Sequence, residues 1–400
     1  MTPKHERHYK RAMELIPWGT QTNAKRLTAG CEETMPPFIK RAKGCHMWDL
    51  DDKEYIDYRC SLGPIILGYC YPSVDAAVKK QMENGSLFSM ASPLEVEAAE
   101  ALMENLTWVE QIRFMKTGAD ACTCCTRLAR TFTGRDHILT SGYHGFHDVF
   151  ALEWPNPGVP NCVRDTVHHV PYNDIEAAEK IFETYGEQLA AAIIVPYEWQ
   201  KETCGEWIHR LRQLCDHYGS LLIFDEVLTG FRLAKGGAQE YYGVTPDFAA
   251  YAKAMANGYP VSAYGGKRQY MQTLENTIIT TTYAGETLSL AACIAVMEVM
   301  KNESVHDHIN AMGRKLRDGF NAIFQQKGFP AEARGLDMAP FIHHMDGSDD
   351  SQKEMRNRLF VRLYDKGVFA NDSWFINYSH QSEDIELTLE KMEQSIREIK

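Results

Sequence analysis

The chain has 400 residues, 44% hydrophobic and 24% charged, with a formal net charge of −12. That length accommodates a large buried core and two domains, or one domain with a satellite. The acidity gives no reason to expect nucleic acid or an anionic membrane as partner.

The longest apolar runs, such as residues 220–224, are strand-length and far too short to cross a bilayer. The opening residues 1–10 are charged and carry no signal-peptide core, so a cytoplasmic protein is expected. Eleven cysteines, odd in number and irregular in spacing, do not read as a disulfide framework. Cys122, Cys124 and Cys125 run into a helical pattern and are expected to be buried there as small hydrophobes.

In chain order, an amphipathic helix is expected over 5–16, ending at Pro17-Trp18-Gly19. Short strands are expected at 38–41 and 46–49, with Asp51-Asp52-Lys53 turning into a third at 55–58. From residue 73 onward, helical periods at 73–84, 95–106, 119–132, 174–186 and 203–218 alternate with short apolar segments. Those segments lie at 111–115, 136–140, 190–195 and 220–224. Strands alternating with helices imply an α/β fold whose mostly parallel sheet is flanked by helices. Helices at 286–302 and 305–327 lead to a tail of strand-like pieces and a last helix, 382–399. The organisation inferred is a large α/β domain at 61–295 and a small α+β domain assembled from both chain ends, 1–60 and 296–400.

Ligands of open parallel sheets bind beyond the carboxyl ends of strands, so polar residues just after apolar runs are the ones to inspect. Ser220-Leu-Leu-Ile-Phe224 delivers the acidic pair Asp225 and Glu226 to such an edge. A carboxylate there can hold a metal, act as a base, pair with a cationic ring nitrogen, or simply cap a helix. Lys253 lies in an apolar stretch flanked by small residues, where a lysine either snorkels to water or is held inside with a lowered pKa. Only the second state suits Schiff-base chemistry, because the neutral amine is the nucleophile. Thr117-Gly118-Ala119 opens a helix and offers free N–H groups to a phosphate. Ser141-Gly-Tyr-His-Gly-Phe-His147 exposes aromatic rings at a strand end. His144, His147 and Asp148 could also serve a zinc hydrolase, although good ligand spacing is missing.

These segments, in this order, resemble the class III branch of the fold-type-I pyridoxal phosphate enzymes, closest to the glutamate-1-semialdehyde 2,1-aminomutases. The resemblance runs from Pro17 to the closing residues 382–389 and includes Trp48–Tyr58, Leu94–Glu100, Arg127–Arg135, Gly142–Gly145, Pro171–Asp174 and Asp225–Arg232. It implies that Lys253 forms the Schiff base with pyridoxal 5'-phosphate and later carries protons. It assigns Asp225 to the ring nitrogen, Val227 and Tyr143 to the two ring faces, and the N–H groups of Gly118 and Ala119 to the phosphate. Thr282 would reach the phosphate of the neighbouring subunit's cofactor, implying a homodimer with shared active sites. No metal is implied.

The departures bear on the substrate. Leu62 stands where the aminomutases have tryptophan, and Lys25 stands in place of an arginine that looks like a carboxylate binder. The gating segment Val149–Asn156 is about half the family's length. A short loop retains a deaminated intermediate poorly, which favours an aminotransferase acting between an amino donor and a carbonyl substrate. The segment 20–26 is similar to members serving carbohydrate pathways, so a carbohydrate-derived carbonyl is one expectation. The aminomutase itself, and a lyase or epimerase on the same cofactor, are the alternatives.

Overall fold

The computed structural model describes residues 1–151, 157–199, 201, 205–345 and 348–399. The chain divides into two compact units, Met1–Tyr71 with Asp307–Lys400, and Pro72–His306.

The larger unit is built on a seven-stranded sheet. Its strands are β1 (Gln111–Met115), β2 (His137–Ser141), β3 (Val167–His169), β4 (Leu189–Ile194), β5 (Leu221–Glu226), β6 (Phe248–Tyr251) and β7 (Ser262–Gly266). Their spatial order is β1-β7-β6-β5-β4-β2-β3. β7 runs antiparallel to both neighbours, while β6, β5, β4, β2 and β3 pair in parallel. β4 and β5 are buried along their whole lengths, the mark of strands covered on both faces. The helix Gly118–Thr133 packs Ala121, Cys122, Cys125, Leu128 and Ala129 into the core beside Ile193, Ile223 and Ala250. Small side chains on that face let the helix lie close to the sheet.

The smaller unit explains why both chain ends are needed. Strands Ile39–Lys43, His46–Asp49 and Glu54–Asp57 form an antiparallel meander, and Val368–Phe369 adds to it in parallel beside Glu54–Asp57. Tyr58 continues the link: its N–H donates to Phe369 at 2.8 Å and its carbonyl accepts from Phe375 at 2.7 Å. The Tyr58 ring stacks on His380 at 4.7 Å and leans on Trp374 at 5.2 Å.

Two parts differ from expectation. β6 and β7 are rich in Ala, Gly and Ser, so their β propensity is low and the sheet, not the local sequence, makes them strands. A helix at Asp349–Asp365 occupies part of the tail expected to be strand-like; its first turns are polar and its buried residues, Leu359, Phe360, Leu363 and Tyr364, come late.

The core of the smaller unit carries a pH dependence. Burial lowers His380 from 6.5 to about 4, and the ring accepts a hydrogen bond from the Asn377 N–H, which requires its neutral form. A histidine depressed on folding takes up protons more readily when unfolded. Its contribution is therefore full above pH 6.5 and is lost as pH falls toward 4. Glu226, raised by burial to about 7, works in the opposite sense, losing its contribution as pH rises from 4.5. The His380 share is thus read as a difference. Urea unfolding at pH 6.5 and pH 4.5 is expected to show wild type losing on the order of 2–3 kcal/mol more than His380→Gln across that interval. Parallel losses in the two proteins would exclude the role.

Candidate active site

Four segments arrive at one edge of the large sheet because β1, β2, β5 and β6 all point their carboxyl ends there. Successive side chains of a strand point to opposite faces, and this separates the acidic pair at the end of β5. Glu226 turns into the core, where it accepts from Thr229 Oγ1 at 2.5 Å and from the Ala238 N–H at 2.7 Å. It is a structural acid. Asp225, 4% exposed, faces the other way and accepts from His144 Nδ1 at 2.8 Å and from the Val227 N–H at 3.0 Å. A carboxylate only accepts, so His144 carries its proton on Nδ1. Cys122 stands in the same buried cluster, with its sulfur, the His144 ring nitrogen and an Asp225 oxygen all within 4.8 Å of one another. The carboxylate also pushes the Cys122 thiol up, adding to the effect of burial.

Lys253 follows β6 across the register from this acid: Asp225 pairs with Ala250 and Glu226 with Tyr251. The lysine sits in left-handed backbone at φ 50°, a conformation costing a non-glycine residue roughly 1–2 kcal/mol. Such strain persists where surrounding structure fixes a residue for a task. The residue as a whole keeps some accessible surface. Burial still pulls its amine below the usual lysine value; Asp225 opposes that shift and Arg232 reinforces it.

The helix Gly118–Thr133 starts beside these groups. Thr117 and Asp120 form a reciprocal capping box, with Thr117 Oγ1 accepting from the Asp120 N–H at 3.2 Å and Asp120 accepting from the Thr117 N–H at 2.9 Å. The N–H groups of Gly118 and Ala119 are left with no acceptor among the described residues, as the first N–H groups of a helix are without intrahelical partners. Glycine is required at 118, because a Cβ there would lie 2.7 Å from both Val227 methyl groups. Gly145, at φ 111°, likewise lets the Tyr143–His144 loop lie against Ala119, which any side chain would strike. Tyr143 is 56% exposed beside this helix start. Thr282 is exposed in a turn ahead of the helix Thr287–Asn302.

The structure thus brings Gly118, Ala119, His144, Asp225, Val227 and Lys253 to one sheet edge. It does not gather His144, His147 and Asp148 as a zinc group among the described residues. His147 instead bonds Thr123 Oγ1 at 2.7 Å and lies 3.6 Å from Asp120. His144 as the partner of Asp225 was missed in the sequence, where it read only as a possible metal ligand. Of the segment Val149–Asn156, residues 152–156 lie outside the described residues.

A family model, aminotransferase class-III, matches residues 28–396. The chain belongs to the class-III aminotransferases. This aminotransferase is 33% identical to a glutamate-1-semialdehyde 2,1-aminomutase of Natranaerobius thermophilus, covering 96% of both chains. It is 32% identical to a 3-aminobutyryl-CoA aminotransferase of Cloacimonas acidaminovorans, covering 98% of this chain and 96% of that one. Among solved structures, the FumI protein of Sphingopyxis sp. MTA144, in its pyridoxal phosphate internal aldimine form, superposes with a TM-score of 0.91 at 27% identity, covering 100% of this chain and 97% of that chain.

Proposed function

We propose that this chain is a pyridoxal-phosphate-dependent aminotransferase that moves an amino group between an amino donor and a carbonyl substrate. The observation that carries this reading is the desolvated Lys253 beside a buried Asp225 whose second oxygen is fixed by His144. The residues present fit the cofactor: an amine for its aldehyde, a carboxylate for its ring nitrogen, and unpaired helix N–H groups for its phosphate. When bound, the cofactor supplies an aldehyde carbonyl and an electron-withdrawing ring.

The chain's own residues do the rest. Lys253 would attach through its amine and move protons. Asp225 would hold a proton on the ring nitrogen, and His144 keeps that carboxylate in place. Val227 and Tyr143 would pack against the ring, while Gly118 and Ala119 would bind the phosphate through backbone N–H groups. Thr282 would serve the phosphate of the partner subunit in a homodimer. Exposed Tyr143, Phe146, Ile278 and Tyr283 supply apolar surface that a second copy would cover. Lys25 contributes a cation to substrate binding. A cytoplasmic setting belongs to the same reading, and the ten described cysteines are all free thiols.

Internal amino migration is the second reading, favoured by relatives such as the Natranaerobius aminomutase. Supply of glutamate-1-semialdehyde alone separates the two. Intermolecular transfer is expected to give a single partial turnover that stops with the cofactor in one form, visible in its absorbance. Sustained formation of 5-aminolevulinate at roughly one per second or faster would establish the aminomutase instead.

A further inference from the structure

The smaller unit contains a cavity of about 340 Å³, within the size range of small-molecule sites. Its walls include Met35, Phe38 and Leu62 on the apolar side and Lys25, Arg59 and Asp57 on the charged side. Asp57 is already engaged: it accepts from Tyr69 Oη at 2.7 Å and from the Arg59 N–H at 2.8 Å. Arg59 is not. One arm of its guanidinium donates to the Ala24 carbonyl, but its Nε is buried with no hydrogen-bond partner. Burial pulls its pKa down despite the nearby acids Asp57 and Asp372. A buried donor of a permanently charged group is costly to leave unpaired, and an anion is its natural complement.

The backbone is held in an unfavourable form to build this wall. Cys60, Ser61 and Leu62 all adopt positive φ, at 47°, 53° and 72°, and Gly63 follows at 100°. Three consecutive non-glycine residues in that region cost free energy, so other contacts must impose it. They are present: the Cys60 thiol donates to the Phe375 carbonyl at 3.3 Å, Ser61 Oγ meets Tyr69 Oη at 3.0 Å, and the Leu62 N–H donates to the Arg59 carbonyl at 2.9 Å. The strained turn sets a guanidinium and a leucine on the wall of the same cavity.

We propose that this cavity binds a carboxylate with an apolar body, the carboxylate held by Arg59 with Lys25 as second cation, and the body against Met35, Phe38 and Leu62. Two cations against one already engaged carboxylate leave a net positive lining, and the apolar walls exclude a small hydrophilic anion as the best fit. That this ligand is the enzyme's amino donor or acceptor rests on the aminotransferase reading; the binding itself does not.

The test is calorimetric binding to the pyridoxal-phosphate-loaded enzyme, with 3-phenylpropionate, its uncharged amide and propionate as probes. Wild type is expected to bind 3-phenylpropionate at least tenfold more tightly than either the amide or propionate. Arg59→Gln should reduce the acid-over-amide preference by roughly 10- to 100-fold, as expected for loss of a hydrogen bond to a charged group, and Arg59→Lys should restore part of it. Equal affinity for acid and amide in wild type overturns the proposal, and so does an acid preference that survives in Arg59→Gln. The wild-type comparison decides the matter even where the variant fails to fold. Because no turnover is read, a protein that shows the acid preference yet never changes its cofactor's absorbance with amines would refute the aminotransferase reading alone.

Discussion

Lys253→Ala is expected to fold, to hold cofactor only reversibly, and to lose at least roughly 100-fold in turnover. The magnitude follows from the proton-carrying role alone, which contributes about 10²–10⁴ in comparable general acid–base steps. The covalent role adds to it, because burial lowers the Lys253 amine and so raises the fraction of nucleophilic base. Borohydride treatment of the wild type followed by peptide mapping should place the cofactor on Lys253, and the variant should carry none. A label on any other lysine sinks the assignment. Mixing the inactive variant with inactive Thr282→Ala subunits extends the test: exchange should restore one intact site per mixed dimer. No recovery under demonstrated exchange means that both residues serve the same pocket.

Asp225→Asn is expected to cut turnover by roughly two to three decades while cofactor content stays near normal. The amide keeps the size of the carboxylate but not the charge proposed to hold a proton on the ring nitrogen. Loss of one charge-assisted contact in a dry site raises a barrier by on the order of 2–4 kcal/mol. Attachment depends on other groups, Lys253 and the helix start at Gly118, so the absorbance of bound cofactor should persist. Turnover near the wild-type rate would remove Asp225 from the chemistry. The same variant also disturbs His144, whose Nδ1–H loses its anionic acceptor 2.8 Å away.

Much of this site was legible from strand ends. The apolar run into Asp225 and the glycine turn at Gly118 are local signals, and the parallel sheet dictates that they share an edge. Lys253 was ambiguous from its neighbours, because snorkelling and burial give one local pattern; its proposed role came from the order of the surrounding motifs. The pairing of His144 with Asp225 was not legible, since 81 residues separate them and the loop is set by packing distant in sequence, of Gly142 on Val195 and of Gly145 on Ala119. Arg59 was missed for a related reason. Its signal, a cation just past the strand Glu54–Asp57, is weak until the left-handed turn after it is seen. The helix Asp349–Asp365 escaped because its polar first turns hide the apolar face that follows.

The alternation at the end of β5 makes this strand sensitive to insertions and deletions. Asp225 and Glu226 are chemically near twins with opposite destinations, and only parity along the strand tells them apart. Adding or deleting one codon within Leu221–Phe224 while the pairing to β4 holds would exchange their faces. The core would receive the wrong acid, and the sheet edge would present a carboxylate that has lost its bonds to His144 and the Val227 N–H. Two codons would restore the parity but shift every pair with Ala191–Ile194. Replacing one acid by another is a milder lesion, because geometry survives it. A change in the length of this strand is therefore expected to be more damaging than the exchange of one acid for the other.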